Sequence, residues 1–206
     1  SCAPESILSD AIGALRKNAI EITPTPVEKM EAPDVSKLGG KPYPPADFVW
    51  STFQNPEDGI TRPLSFFCQI NLTQVNTYDA DHVLPTRGML YFFYACDSTG
   101  CILEPADRGA AWVFYYENTE DFVPLDPPDD LEEDYVIPEI AIRFRAQNSY
   151  PRHEEFLCYS DLPYTWKMYD EILQKFGVDT DEDPENHKML EYADVIQNEM
   201  LSECEE

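Results

Sequence analysis

The sequence predicts an α+β fold with a mostly antiparallel, sheet-rich core and a few peripheral helices. Apolar segments of strand length, rich in phenylalanine and tyrosine, occupy the middle of the chain, whereas helical periodicity is confined to stretches near its two ends. Strands and helices do not alternate, which argues against parallel βαβ units. With 206 residues, of which 43% are hydrophobic, the chain has material for a single packed domain, predicted over residues 1–206.

The first predicted element is a short amphipathic helix over residues 4–18. Its apolar residues recur mainly at intervals of three and four, Pro4 stands in its first turn, and basic residues near its end complement the helix dipole. Residues 19–28 then alternate apolar and polar side chains but contain two prolines. Because proline cannot donate to a β-ladder, we expect an edge strand or an extended arm there.

Two strands of the buried type are predicted next, at 64–72 and 89–96, followed by a third apolar strand at 111–116, and the last two strands are expected to pair across a long hairpin loop. Residues 140–145 alternate strictly between apolar and basic or small side chains, which indicates a half-solvated strand. The final element is a helix over 162–176, with a stripe of aromatic and aliphatic residues. Asp161 can cap this helix and Gly177 can terminate it.

The charge is the outlier of the composition. Forty acidic residues stand against 14 basic ones, which gives a net charge of −26. A surface of that sign repels nucleic acid and anionic lipid, and it attracts cations or basic protein surfaces. We therefore expect a basic protein as partner and neither nucleic acid nor a membrane. Between Arg108 and Arg143 there is no basic residue, and residues 117–134 hold nine carboxylates in 18 positions.

No apolar run is long enough to span a bilayer and no secretory segment occurs at the N-terminus, so a cytoplasmic protein is predicted. Cys68 lies in a predicted buried strand, where an inert thiol is the expected role. Cys96 and Cys101 are five positions apart, so a hairpin can bring them together. A disulfide between them and a reduced pair both stay open, and the cytoplasm favours the reduced pair.

The sequence gives weak grounds for a metal site or a catalytic centre. Asp179, Asp181 and Asp183 have the alternate spacing of a calcium loop, but Pro184 and Leu190 occupy the positions where an EF-hand needs glycine and glutamate. This acidic loop is therefore only a weak metal candidate. No nucleophile elbow, phosphate loop or dinucleotide motif occurs, and we assign no catalytic residue and no cofactor.

Five blocks of sequence carry a family resemblance. They occur, in order, at 36–42 (SKLGGKP), Trp50, 64–72 (LSFFCQINL), 88–94 (GMLYFFY) and 187–200 (HKMLEYADVIQNEM). In this order they resemble the YwqG-like family, a group of bacterial proteins of unknown function, over a motif-bearing region of 36–200. Glu191 departs from the family pattern, which has glycine there.

The resemblance implies a sheet-rich α+β fold, a cytoplasmic bacterial protein and no catalytic residues. It also implies a structural role for motif residues: Gly39, Gly40, Trp50, Gln69, Asn71, Gly88 and His187.

Candidate ligand-binding residues are few. The amides of Gln69 and Asn71 point to one face of a strand, where they can bind a ligand or satisfy the backbone of a neighbouring loop. Arg143 and Arg145 form a local positive cluster that can bind an anion or pair with the protein's own carboxylates. His187 completes the candidates.

Three functions remain after this reading. The first is a non-catalytic, protein-binding module, with an immunity-like or inhibitor-like role as one form, in which acidic residues steer a basic partner. The second is a hydrolase or metal-dependent enzyme that uses carboxylates with His82, His153 or His187. The third is a small-molecule sensor that binds within the aromatic sheet. The oligomeric state is left open.

Overall fold

The computed structural model of the chain describes residues 3–25, 33–56, 58–97, 100–101, 109–178 and 187–190. It confirms an α+β fold with an antiparallel sheet and a small number of helices. The strands are β1 (Lys17–Thr25), β2 (Lys37–Leu38), β3 (Thr52–Gln54), β4 (Thr61–Pro63), β5 (Ser65–Asn71), β6 (Met89–Tyr94), β7 (Cys96–Asp97), β8 (Gly100–Cys101), β9 (Ala111–Tyr116), β10 (Ile140–Ser149) and β11 (His187–Met189). The α-helices are α1 (Glu5–Ala14), α2 (Leu72–Val75), α3 (His153–Phe156) and α4 (Trp166–Lys175).

Seven strands form the main sheet, in the order β11-β1-β10-β2-β5-β6-β9. The strands β3 and β4 form a separate antiparallel pair, and so do β7 and β8. No helix among the described residues is long and apolar enough to cross a bilayer.

The chain divides into two compact units. Unit 1 consists of residues 1–23, 78–81 and 144–206, and unit 2 consists of residues 24–77 and 82–143. The long strand β10 contributes residues to both units, because the boundary falls between Arg143 and Phe144.

The core of unit 2 is built on one face of the strands β5, β6 and β9. Residues directly opposite each other on antiparallel strands share a face, and the face that carries Phe66, Tyr91 and Phe93 is buried. The β6–β9 pairing runs without a break from Met89 opposite Tyr116 to Tyr94 opposite Ala111, which confirms the predicted hairpin.

Trp50 closes this core. Its indole N–H donates to the carbonyl oxygen of Leu64 at 2.8 Å, and its ring meets Phe93 edge to face at 5.3 Å. Gly88, at the start of β6, has a φ of 105°, and a Cβ there would lie 2.6 Å from the carbonyl oxygen of Tyr116. Both residues of the family pattern therefore have packing roles.

Unit 1 has a core of helical residues. Leu8 and Ile12 of α1 share a buried cluster with Tyr169, Ile172 and Leu173 of α4 and its neighbours. This is the amphipathic packing predicted for both helices, but their limits differ from the prediction.

The first helix ends at Ala14, where residue 18 was predicted. The reason is that the chain enters the strand β1 at Lys17, and positions 18–22 of that strand are buried. The last helix begins at Trp166 and is capped by Thr165, whose hydroxyl accepts the Met168 N–H at 3.3 Å, so the predicted cap Asp161 lies outside it.

The prediction of an edge strand at 19–28 was wrong in its position. Strand β1 lies between β11 and β10 in the sheet, and Ile20 to Ile22 pair with β11. Pro24 falls after the residues of this register, so it removes no donor from the pairing.

Candidate functional site

The acidic segment, residues 117–134, directly follows strand β9. Backbone hydrogen bonds attach it to a proline-rich stretch of unit 2, residues 42–45. The Val123 N–H donates to the carbonyl oxygen of Pro44 at 3.1 Å, and the Leu125 N–H donates to that of Pro42 at 2.9 Å. Because a proline has a carbonyl but no N–H, these residues can act only as acceptors, and the acidic segment supplies the donors.

Phe122 anchors the same segment to the core. It forms an isolated antiparallel bridge with Pro45, and its ring lies 6.3 Å from that of Tyr91. The Tyr91 hydroxyl donates to the carbonyl oxygen of Tyr43 at 2.7 Å, and burial raises the pKa of this phenol above its usual value. Tyr91 therefore connects the proline-rich stretch to the sheet on which the acidic segment packs.

Two lysines add ion pairs to this attachment. The Lys37 ammonium is 2.5 Å from the Glu139 carboxylate and 4.9 Å from the centre of the Tyr43 ring. The Lys37 side chain is only 2% exposed, so removal of its partner would leave a buried charge. Lys41 pairs with Asp126 at 2.5 Å, and this hydrogen bond and charge raise the pKa of Lys41.

Two glycines allow a close backbone approach beside these lysines. Gly39 has a φ of 54°, and a Cβ there would lie 2.2 Å from the carbonyl oxygen of Pro138 and 2.4 Å from that of Ile137. The N–H of Gly40 donates to the Ile137 oxygen at 2.8 Å. Only glycine fits at position 39, because a side chain would collide with backbone atoms that cannot move aside.

The attachment leaves most carboxylates of the acidic segment facing solvent. Glu117 pairs with Arg87 and Asp126 with Lys41. The remaining carboxylates are exposed, and none of them forms an ion pair with a basic side chain among the described residues: Glu120, Asp121, Asp129, Asp130, Glu132, Glu133 and Asp134.

Most basic side chains in the described ranges are, in contrast, neutralised locally. The following form ion pairs with carboxylates: Arg16, Lys37, Lys41, Arg62, Arg87, Arg145, Lys167 and Lys175. Within the described ranges, the acidic segment therefore holds the densest group of exposed carboxylates that have no ion-pair partner.

Gln69 is fully buried and uses its amide within the protein. Its side-chain oxygen accepts the Tyr43 N–H at 3.1 Å, and its side-chain nitrogen donates to the carbonyl oxygens of Pro33 at 3.0 Å and Val35 at 2.8 Å. One amide thus connects strand β5 to the segments that precede and follow β2 in the chain. The arrangement corresponds to the second of the two roles considered from the sequence, in which the amide satisfies loop backbone.

Asn71 has a similar position at the end of β5. Its side-chain nitrogen donates to the carbonyl oxygen of Asp34 at 2.7 Å, and its side-chain oxygen accepts the Thr73 N–H at 2.9 Å, which caps α2. The backbone N–H of Asn71 donates to the Ser36 hydroxyl at 2.8 Å. Gln69 and Asn71 therefore lie on one face, as predicted, and both hold the segment around residue 35.

The other candidate ligands are distributed over both units. Arg143 is an exposed residue of unit 2. In unit 1, Arg145 lies 2.6 Å from the largely buried carboxylate of Glu21, so it serves an internal ion pair. His187 pairs with Ile22 in the β1–β11 register.

The residues considered for metal or catalytic chemistry are also separate. Asp179, Asp181 and Asp183 lie outside the described residues. His82 is exposed in unit 2, with a φ of 51°, and His153 in unit 1 stacks on Trp166 with a centroid distance of 3.6 Å. Within the described ranges no group of three or more histidine, cysteine, aspartate or glutamate residues could hold a metal ion.

Two cysteine predictions can be placed. Cys68 is buried, and burial raises the pKa of its thiol, which suits an inert side chain. Cys96 lies directly opposite Cys101 in the β7–β8 register, as the predicted hairpin requires.

Sequence reasoning missed the attachment of the acidic segment to residues 39–45. The signal was available, because three prolines in that stretch offer acceptors without donors and must be matched by donors from elsewhere in the chain. What the sequence did not indicate is which segment would supply them.

We expect Gly39→Ala to destabilise unit 2 far more than Gly59→Ala. Both glycines have a positive φ, of 54° and 71°, but a Cβ at position 59 would meet no atom within 4 Å. Gly59→Ala therefore carries only the backbone penalty, about 1 kcal/mol, whereas Gly39→Ala adds the collision and lowers the free energy of unfolding by about 3 kcal/mol or more. Urea unfolding of both variants measures the difference, and equal losses would contradict the close approach at Gly39.

We also expect Gln69→Glu to lower the free energy of unfolding by about 3 kcal/mol, because a carboxylate there would face two carbonyl oxygens without a donor. Gln74→Glu is the matched control. The Gln74 side chain is exposed, and its oxygen accepts the Ser36 N–H at 2.9 Å, which a carboxylate oxygen can also do. The free energy of unfolding of the Gln74→Glu variant should therefore change by less than about 0.5 kcal/mol. Thermal or urea unfolding decides, and a Gln69→Glu variant of unchanged stability would remove the role assigned to this amide.

Comparison with protein families matches residues 36–206 to a domain of unknown function, DUF1963. Comparison with curated proteins finds no significant match. The matched region includes the glycines, the prolines, Gln69 and the whole acidic segment. Because it covers most of the sequence, this chain belongs to the DUF1963 family, whose domain has no known function.

Proposed function

We propose that this chain is a non-catalytic binding module that recognises a basic protein through its acidic segment. The observation that carries the proposal is the set of exposed carboxylates at positions 120–134 that form no ion pair among the described residues. Their charge is available to a partner, whereas most of the described basic side chains already have a carboxylate beside them.

The attachment of the acidic segment favours binding. Backbone hydrogen bonds from Val123 and Leu125, and the packing of Phe122, hold the segment before any partner arrives. A surface that is already ordered loses less conformational entropy on association. Clustered charge of one sign also accelerates the encounter with a partner of opposite charge. An immunity-like or inhibitor-like role, in which the acidic surface neutralises a basic protein, is one form of this function.

The residues that carry the resemblance to YwqG-like proteins have a structural role in this proposal. The scaffold is determined by residues that are not expected to contact the partner: Gly39, Gly40, Trp50 and Gly88. A cytoplasmic bacterial setting belongs to the proposal as well.

The test is a triple variant, Asp129→Asn, Asp130→Asn and Glu132→Gln, measured against a small, strongly basic globular protein by calorimetry or fluorescence anisotropy. Exposed charge pairs contribute a few tenths of a kcal/mol to about 1 kcal/mol each, so we expect affinity to fall by about tenfold at low ionic strength. Because salt screens such pairs, the wild-type affinity should also fall as the salt concentration rises.

The control is a second triple variant with the same change in charge, Asp10→Asn, Glu154→Gln and Asp161→Asn, at exposed positions of unit 1. It should lose less than about threefold in affinity, because it leaves every carboxylate of the acidic segment in place. Equal losses in the two variants, or an affinity that salt does not change, would contradict recognition by the acidic segment.

A further inference from the structure

We propose that the outer edge of strand β9 binds an extended segment of the partner as an additional β-strand, and that this segment alternates basic with apolar side chains. This inference rests on the proposed function for the charge of the partner and adds the binding mode. It follows from the hydrogen-bonding phase of β9, its exposed side chains and the charge of the chain.

The first observation is that β9 stands at the end of the sheet. Strand β6 pairs with it on one side over six residue pairs, and no described segment pairs with its other side. A sheet edge of this kind presents a row of unpaired backbone donors and acceptors, which is the template that strand addition uses.

The second observation identifies the backbone groups that face outward. The Ala95 N–H donates to the carbonyl oxygen of Ala110, so this opposing pair is a hydrogen-bonded one. In an antiparallel ladder, hydrogen-bonded and non-hydrogen-bonded pairs alternate. It follows that Ala111, Val113 and Tyr115 direct their N–H and carbonyl groups away from β6.

The third observation is the apolar character of the edge. Trp112, Val113 and Tyr115 are 47%, 54% and 44% exposed, so large side chains are accessible on both faces of the strand. Trp112 is held against Phe114 in a stacked arrangement with a centroid distance of 6.0 Å. An incoming strand would therefore find apolar neighbours for its own side chains above and below the sheet.

Strand β9 itself lacks three features by which sheet edges avoid pairing. Edge strands are commonly protected by a charged residue, a proline or a bulge. The sequence of β9 is AWVFYY, which contains no charged residue and no proline, and its register with β6 has no irregularity.

The charge of the chain selects the occupant. A second copy of this chain also carries a net charge of −26, so charge repulsion between the two copies opposes the pairing of two β9 edges. A segment that carries lysine or arginine is instead attracted by the carboxylates of the acidic segment that form no ion pair among the described residues, and these begin at Glu120, shortly after the end of β9. Alternation of basic and apolar residues satisfies both the charge and the apolar edge.

The peptide experiment separates strand addition from simple charge attraction. A labelled seven-residue peptide that alternates lysine and valine is compared with the same peptide methylated at every backbone nitrogen, which keeps the charge and the side chains but removes the donors. We expect the methylated peptide to bind at least about tenfold more weakly, which corresponds to the loss of a few net hydrogen bonds.

The variant experiment tests the edge itself. Val113→Pro removes an outward donor and places a ring on the edge, while it leaves the hydrogen bonds to β6 in place. We expect it to weaken binding of the unmethylated peptide by about tenfold. Val113→Thr keeps the backbone donor and should bind within about twofold of the wild type. Circular dichroism shows whether Val113→Pro is folded. If it is not folded, the comparison of the methylated and unmethylated peptides on the wild-type protein tests the inference.

The outcomes are distinguishable. If both peptides bind equally but the acidic-segment variant binds neither, the proposed function holds and strand addition is refuted. If no lysine-rich probe binds at all, both proposals fail. If the chain forms a dimer that Val113→Pro abolishes, as measured by sedimentation, the occupant is a second copy and the inference is overturned. Weaker binding by the methylated peptide and by Val113→Pro together supports it.

Discussion

The organisation of unit 2 depends on the hydrogen bonds made to a stretch rich in proline, a residue that has a backbone carbonyl but no N–H. Residues 42–45 contain three prolines; the carbonyl oxygen of Pro45 accepts the nearby Phe48 N–H, whereas those of Pro42 and Pro44 receive donors from another segment. The acidic segment supplies those donors through Val123 and Leu125, and Gly39 makes room for the returning chain at Pro138. The pairing of a stretch rich in acceptors with a segment that donates fixes the position of the exposed carboxylates.

Much of the sheet could be predicted from the sequence, because apolar runs of strand length that are rich in phenylalanine and tyrosine indicate strands whether one face or both faces are buried. The strands β5, β6 and β9 and the β6–β9 hairpin are examples. Boundaries were harder to predict, because competing local signals are close in energy. The segment at Lys17 can continue a helix by its charge, but the burial of residues 18–22 favours a strand. Similarly, Thr165 and Asp161 are both good caps, and only packing selects Thr165.

The candidate site was predictable in part. The surplus of carboxylates at 117–134 and the shared face of Gln69 and Asn71 both follow from sequence patterns. The use of those amides by Pro33, Val35 and Asp34 does not, since it depends on contacts between residues more than 30 positions apart. The burial of Lys37 is of the same kind, because a lysine is rarely fully buried and only the placement of Glu139 permits it.

The lack of space at Gly39 has a consequence for how sequences of this family can vary. A position that tolerates no side chain fixes one residue type, whereas an exposed carboxylate can move to a neighbouring position without strain. Substitutions should therefore accumulate on the displayed surface and be excluded from the support beneath it. In related chains we therefore expect the glycine to be constant and the pattern of acidic residues to vary, so that one scaffold can present different binding surfaces.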